Sequence, residues 1–121
     1  MEIVFNGLEH QLTYEFWINA VTCPDAYHQA LLYTLAICPD TRLRIGQIYD
    51  SIERTIDSAA LEGGWQTSTS RRVCLLAFNL FNGFIDPNCP QASAPYDIFC
   101  CCYARYFLQA IKLRYAEYFC N

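Results

Sequence analysis

The sequence predicts an all-α fold, a compact bundle of about five helices joined by long ordered loops. Three observations lead to this prediction: apolar residues recur at helical spacing in several segments, no segment alternates apolar and polar residues between hairpin turns, and one stretch is apolar on almost every side. That stretch follows the pair Gly63-Gly64 and ends near Gly83. Because glycine allows a tight turn before a helix and a left-handed residue after it, residues 69–84 are predicted to form the central, buried helix.

The first helix is predicted over about residues 7–21, with Asn6 as an acceptable N-cap. An apolar stripe at four-residue intervals supports this helix: Leu8, Leu12 and Phe16. Four further apolar or aromatic side chains lie away from the stripe: Tyr14, Trp17, Ile18 and Val21. The helix is therefore expected either to be packed on both sides or to offer its second side to something else.

Two Cys-Pro-Asp tripeptides divide the next part of the chain, beginning at Cys23 and Cys38. Proline forces the preceding residue out of helical geometry, and aspartate can cap the helix that follows. The tripeptides therefore predict helices over about residues 25–37 and 41–50. The stretch 51–62 shows only loose helical intervals, so it is expected to hold a short helical turn inside a long ordered loop.

Residues 85–95 contain three prolines and predict an irregular crossing. Since proline is favoured in the first turn of a helix, a short helix is predicted over about residues 96–102. An amphipathic pattern predicts the last helix over about residues 103–118. Arg114 lies on the apolar side of this helix, so it is expected to be partly buried and to form an ion pair.

Length and composition indicate one domain over residues 1–121, long enough to bury its own core. Hydrophobic residues make up 54% of the chain and aromatic residues 16%, which leaves large side chains without a place in one core and favours self-association or a partner surface. The N-terminus has no signal-peptide pattern, and no apolar run reaches the roughly 18 residues that a membrane span needs. The protein is therefore expected in the cytoplasm and outside membranes.

The charge of the chain argues against strong nucleic-acid binding. A net charge of −4 does not suit a general phosphate-backbone binder, which needs clustered lysine and arginine. Direct DNA or RNA binding would depend on a few local arginines alone: Arg42, Arg44, Arg71 and Arg72.

Cysteine and histidine are numerous enough to test for metal sites and catalysis. The eight cysteines include no C-x-x-C pair, and His10 and His28 stand alone, so neither a metal nor another cofactor is expected. Without a secretion signal the thiols are expected to be reduced. His28 shares a helical face with leucines, which is typical of a packed histidine rather than a catalytic base. No complete catalytic motif is present, so no catalytic residues are predicted and an enzyme is disfavoured.

The candidate binding residues lie mainly at the start of the central helix. Helix N-terminal N–H groups, hydroxyls and two arginines could hold an anion, or the hydroxyls could cap the helix while the arginines pair with acids such as Asp50 or Asp97. The second interpretation is favoured because capping explains the same residues without a ligand. With two aromatic residues of the first helix, the candidate set is Trp65, Gln66, Thr67, Ser70, Arg71, Arg72, Trp17 and Tyr14.

Motifs spread over nearly the whole chain indicate a family setting. They include Ile48-Tyr49-Asp50, Gly64-Trp65-Gln66-Thr67-Ser68, Ser70-Arg71-Arg72 and Ala110-Ile111-Lys112-Leu113-Arg114-Tyr115. With these motifs the chain resembles a family of small proteins of unknown function from gut Firmicutes and their phages and mobile elements. The resemblance implies an accessory gene of prophages or integrative elements, and it supplies no catalytic or binding residues.

Small cytoplasmic proteins from such elements are often inhibitors of host defence, an argument by analogy. The expected function is therefore a non-enzymatic accessory protein that binds a host protein, with a CRISPR effector or another bacterial defence nuclease as the target. An alternative from a different class is an anion- or nucleotide-binding protein, or an enzyme, centred on residues 63–72. Self-association is a further expectation.

Overall fold

A computed structural model describes residues 1–119 and confirms the all-α prediction. Four helices of ten or more residues form its body: α1 (Leu8–Ala20), α2 (Ala26–Leu35), α5 (Ser68–Asn82) and α7 (Ala104–Arg114). Three helices have four residues each: α3 (Pro39–Arg42), α4 (Ile45–Ile48) and α6 (Pro95–Ile98). Turns of 3₁₀ helix occur at Ser58–Glu62, Pro90–Ser93 and Ala116–Tyr118. Among the described residues, no helix is long and apolar enough to cross a membrane.

The core lies where α2 packs against α5, α7 and α1. The predicted central helix is confirmed, because α5 is buried over residues 73–78 and ends at Gly83, whose φ of 79° is left-handed. Helix α2 is equally central, since every residue over 30–38 is buried. The polar member of that run, Thr34, is tolerated because its hydroxyl donates to the Ala30 carbonyl at 2.6 Å.

Helix α1 lies with its apolar stripe outward. The exposed fractions of Leu8, Leu12 and Phe16 are 68%, 56% and 66%, whereas His10 and Tyr14 are buried. Residues of a helix are about 100° apart, so the stripe and the buried pair belong to opposite sides. The side that the sequence left open is therefore the packed one.

The predicted N-cap of α1 is wrong. Gly7 occupies the cap position, with no side-chain cap hydrogen bond. Asn6 instead donates from its side-chain amide to the Ile37 carbonyl at 3.2 Å. This contact ties the residue before the cap of α1 to the residues that follow α2.

The single helix predicted over residues 41–50 is also wrong. The chain forms α3 and α4, and then a two-stranded antiparallel sheet, β1 (Tyr49–Asp50) with β2 (Thr55–Ile56). The pairing brings Tyr49 opposite Ile56. The helix is interrupted at Arg44, whose φ of −118° and ψ of 13° lie outside α-helical geometry. The Thr41 hydroxyl donates to the Leu35 carbonyl at 2.6 Å and ties α3 to the end of α2.

The C-terminal helices are shorter than predicted. Helix α6 ends at Ile98, where a helix over residues 96–102 was expected, and α7 ends at Arg114, before a separate 3₁₀ turn. Gln109 of α7 is buried despite its polar side chain and accepts the Val4 backbone N–H at 3.0 Å. That hydrogen bond to the N-terminal segment compensates for burying the amide.

The predicted ion pair of Arg114 is absent from the described part of the chain. Its guanidinium carbon lies 3.8 Å from the ring centroid of Tyr27 and 4.6 Å from that of Tyr115, and its Nε donates to the Leu80 carbonyl at 2.9 Å. Two aromatic faces and a carbonyl stabilise the cation in place of a carboxylate.

Candidate functional site

The start of α5 is held by hydrogen bonds among three candidate residues. Thr67 is the N-cap and accepts the Ser70 backbone N–H at 3.0 Å, while the Ser70 hydroxyl accepts the Thr67 N–H at 2.8 Å. The Ser70 hydroxyl also lies 2.6 Å from Oε1 of Gln66, to which it donates. Gln66 in turn donates to the Ala60 carbonyl at 3.0 Å. The polar side chains that could hold an anion are thus bonded to one another and to the backbone.

Thr67→Ala should lower the free energy of unfolding by about 1 kcal/mol, the usual cost of losing an N-cap side chain. The expected loss follows because the variant leaves the Ser70 N–H without its acceptor. Urea unfolding measures it, with Ser68→Ala as a matched control one residue along, outside the cap. A stability equal to that of the wild type would contradict a structural role for Thr67.

The two candidate arginines are engaged by carboxylates. Arg71 Nη2 lies 2.8 Å from Oδ2 of the buried Asp86, and this guanidinium holds the pKa of Asp86 below its usual range. Arg72 pairs with Asp97 at 3.1 Å and donates from Nε to the Asp97 carbonyl at 3.0 Å. The pairing of Arg72 with Asp97 agrees with the expectation, whereas Asp86 takes the position expected for Asp50.

Trp65 is half-buried at the edge of the core and packs under a cation. The guanidinium of Arg44 lies 4.7 Å from the centroid of its ring. A Cβ on Gly63 would clash with the indole, so the glycine allows the backbone to approach the ring. A binding role for residues 63–72 stays a prediction, and their principal polar side chains have partners within the fold.

The two candidate residues of α1 lie in different surroundings. Tyr14 is buried, with its ring centroid 5.7 Å from that of Phe5 and 6.0 Å from that of Tyr33, so it belongs to the core and does not present a contact surface. Trp17 is half-buried, and its ring meets that of Phe16 edge-on at 5.8 Å. It lines a cleft of about 400 Å³ beside α4 and the β hairpin.

His10 is buried and neutral. Its Nδ1 accepts the Asn6 backbone N–H at 2.9 Å, and its Nε2 lies 2.8 Å from the Tyr33 carbonyl, to which it donates. The pKa of His10 is lowered to about 4, chiefly by burial; the hydrogen bond to Tyr33 opposes the shift and nearby Arg42 adds to it. Both ring nitrogens are occupied, so His10 cannot bind a metal without losing a hydrogen bond.

His28 connects a carboxylate to a hydroxyl, a linkage that the sequence reasoning missed. Its Nδ1 lies 2.8 Å from Oδ1 of Asp25, and its Nε2 lies 2.8 Å from the hydroxyl of Tyr49. Tyr49 is 2% exposed, and burial raises the pKa of its hydroxyl, whereas an activated nucleophile needs access and a lowered pKa. The arrangement therefore suits a structural link between the start of α2 and the β hairpin.

The thiols form no metal site in the described residues. Seven cysteines are free, while Cys120 lies outside residues 1–119. Within those residues no group of three or more histidine, cysteine, aspartate or glutamate side chains could hold a metal ion. Burial raises the pKa of the Cys74 thiol to about 12, which makes this thiol a poor nucleophile at neutral pH.

Helix α1 exposes three large apolar side chains along one face, and Glu15 borders them. We call this surface, made of Leu8, Leu12, Phe16 and Glu15, the α1 outer face. Residues 1–41 contain no lysine or arginine, and their acidic residues are Glu2, Glu9, Glu15, Asp25 and Asp40. Arg42, just beyond this segment, pairs with Glu9 at 2.9 Å. The α1 outer face is therefore an apolar stripe with an acidic rim.

A family model matches residues 1–121. The chain belongs to the family of unknown function DUF6075. No curated protein and no solved structure shows significant similarity to it.

In this DUF6075 member the sequence reveals the apolar stripe on α1, but the expectation that the stripe faces the core is wrong. A signal was nonetheless present, because His10 and Tyr14 lie on the side opposite Leu12. Aromatic side chains with a polar atom are well suited to a buried side where that atom can find a partner. The structure supplies the partner, since the Tyr33 carbonyl lies beside His10.

Proposed function

We propose that the protein is a non-enzymatic accessory protein of phages or mobile elements, which acts in the cytoplasm by binding a host protein through the α1 outer face. The target that we propose is a bacterial defence nuclease, such as a CRISPR effector. The phage setting comes from the sequence resemblance, and the binding mode comes from the structure of α1.

The observation that carries the proposal is the exposure of Leu8, Leu12 and Phe16, each more than half in contact with water. Full burial of a side chain of this kind contributes roughly 1.5–3 kcal/mol, and in the monomer most of that contribution is unused. Apolar side chains exposed along one face of a helix at this spacing are a recurrent means of docking into a groove on another protein.

The rim of the stripe indicates the chemistry of the groove. Since Glu15 borders the stripe and residues 1–41 carry no basic side chain, the groove should be bordered by lysine or arginine. Nucleases carry such residues where they contact the phosphate backbone. The acidic residues of the chain are dispersed, so we propose occlusion of a site or of a conformational change rather than mimicry of a DNA duplex.

The alternative, anion or nucleotide binding at residues 63–72, has less support. Thr67 and Ser70 bond to each other, and both arginines pair with aspartates. The cavity beside Arg71 and Arg72 is small, about 170 Å³. An anion would have to displace Asp86 or Asp97 from a guanidinium.

The test combines capture with inhibition. Tagged wild-type protein is expected to retain an identified defence nuclease from host lysate and to inhibit it in a cleavage assay. Leu12→Arg should lose both effects by at least tenfold, because it places a cation in the centre of the stripe that must meet a basic rim. Leu43→Arg is the matched control, since Leu43 is 79% exposed and lies outside α1.

Two results would contradict the proposal. One is capture that Leu12→Arg and Leu43→Arg reduce equally, which would show that the α1 outer face is not the contact. The other is the absence of an effect of the wild-type protein on every defence nuclease of the host.

A further inference from the structure

Helix α7 presents a second outer face, opposite in charge to that of α1. We define the α7 outer face as Arg105, Leu108 and Lys112, which follow one another at helical intervals. Arg105 and Leu108 are exposed and Lys112 is half-buried, while Phe107 on the other side is fully buried. Helix α7 contains no acidic residue, so this face is an apolar side chain between two cations.

The two outer faces are complementary in length and in charge. At 1.5 Å per residue, Leu8 to Phe16 spans about 12 Å and Arg105 to Lys112 about 10 Å. Within residues 1–119, Glu15 and the two cations of α7 form no ion pair. The negative charge of Glu15 on the α1 outer face can therefore pair with the positive charge of Arg105 or Lys112 on the α7 outer face.

A symmetric contact between two α1 outer faces is disfavoured by the same charges. Two copies of Glu15 would lie near one another with no lysine or arginine on α1 to neutralise them. Like charges at an interface oppose the wrong pairing. A second copy is better accommodated when its α7 outer face meets α1.

We propose that the free protein self-associates head to tail, with the α1 outer face of one copy packed on the α7 outer face of the next. Such a contact is heterologous, so an open assembly keeps one unused face at each end. It either grows into a longer chain or closes into a ring. One helix packed on one helix gives an interface at the small end of the range for specific contacts, so the association is weak and reversible.

Self-association would regulate the site named in the proposed function. A second copy covers the α1 outer face, so it competes with the host protein, and this consequence rests on the proposed function. The contact between copies does not, since it follows from the two faces of this chain alone. At high protein concentration the α1 outer face would be covered by a second copy. Dilution, or a partner that binds more tightly, would expose it again.

The test uses complementary variants of the purified protein in analytical ultracentrifugation. The average mass of the wild type is expected to rise with concentration up to the millimolar range. Leu12→Arg and Leu108→Glu should each remain monomeric, because each removes one of the two faces. Their mixture should form a dimer and nothing larger, since one intact face of each kind remains.

The double variant L12R/L108E is the control and should associate with neither single variant, because it lacks both intact faces.

A second set of variants changes only charged residues that border the faces. Its result therefore does not depend on whether the fold tolerates a charge within the apolar stripe. Glu15→Lys should weaken the association, and E15K/K112E should recover it by restoring opposite charges across the contact. High salt should weaken the wild-type association as well.

Three outcomes would overturn the inference: a wild type that stays monomeric at every concentration, a mixture of Leu12→Arg and Leu108→Glu that forms no dimer, or an E15K/K112E variant that associates no better than Glu15→Lys. The proposed function is tested separately by Leu108→Glu, which keeps the α1 outer face. This variant should still capture and inhibit the nuclease, whether or not copies of the protein associate.

Discussion

Phe78→Ala is expected to lower the free energy of unfolding by about 3–5 kcal/mol, the usual cost of removing a buried phenylalanine and leaving a cavity. Phe78 lies in the middle of α5 with no exposed surface, and its ring meets that of Phe84 edge-on at 5.9 Å. Chemical denaturation of the purified variant measures the loss.

Phe16→Ala is the matched control, because it removes the same side chain from a position that is 66% exposed. A change of about 0.5 kcal/mol or less is expected there, as for most surface substitutions. If Phe78→Ala cost less than about 1 kcal/mol, α5 would not be the centre of the core. Similar losses for the two variants would likewise contradict the outward direction of the α1 stripe.

His10 is expected to make the protein acid-sensitive. Its pKa is lowered from 6.5 to about 4 in the folded state, so between these values the unfolded chain binds a proton that the folded chain does not. The stabilising effect of neutral His10 is complete above pH 6.5 and is lost as the pH falls towards 4. The expected loss is on the order of 3 kcal/mol, from 1.36 kcal/mol for each unit of pKa difference.

Two measurements check this prediction. The NMR titration of the His10 ring should have a midpoint near pH 4, and unfolding between pH 4 and 6.5 should show the loss of stability. In His10→Gln the same pH range should have a smaller effect, because the titrating group is gone. Asp25 and Asp86 act at lower pH, since their pKa values are also lowered.

An ordinary His10 midpoint near pH 6.5 would show that the ring is solvated rather than packed under Tyr33. Equal slopes of stability against pH in the wild type and His10→Gln would assign the acid sensitivity to other groups.

Local sequence patterns predicted the helical class and the position of the central helix. The reason is that the deciding interactions of α5 are close in sequence: Ser70 is three residues from Thr67, and Gly83 directly follows the last helical turn. The candidate residues of this segment were also correctly placed at a helix start. Capping and the left-handed glycine are short-range effects, and sequence spacing describes them well.

Only the tertiary structure decided the partners of the charged groups. Arg71 pairs with Asp86, fifteen residues away, and Arg114 donates to the Leu80 carbonyl, thirty-four residues away. The hydrogen bond between His28 and Tyr49 likewise spans twenty-one residues. Sequence spacing predicts that such a group needs a partner, but it cannot select one among several distant carboxylates, carbonyls and rings.

The sequence by itself determined that α1 is a helix with large apolar residues on two sides, and the tertiary structure decided which side is buried. The expectation that Leu8, Leu12 and Phe16 pack against the core is wrong, because helical periodicity is the same whether a stripe faces the core or the solvent. The direction follows from contacts made once α2 is in place: His10 with the Tyr33 carbonyl and Asn6 with the Ile37 carbonyl. Because buried polar groups must find partners, these two hydrogen bonds turn the histidine inward and leave the leucine stripe on the surface.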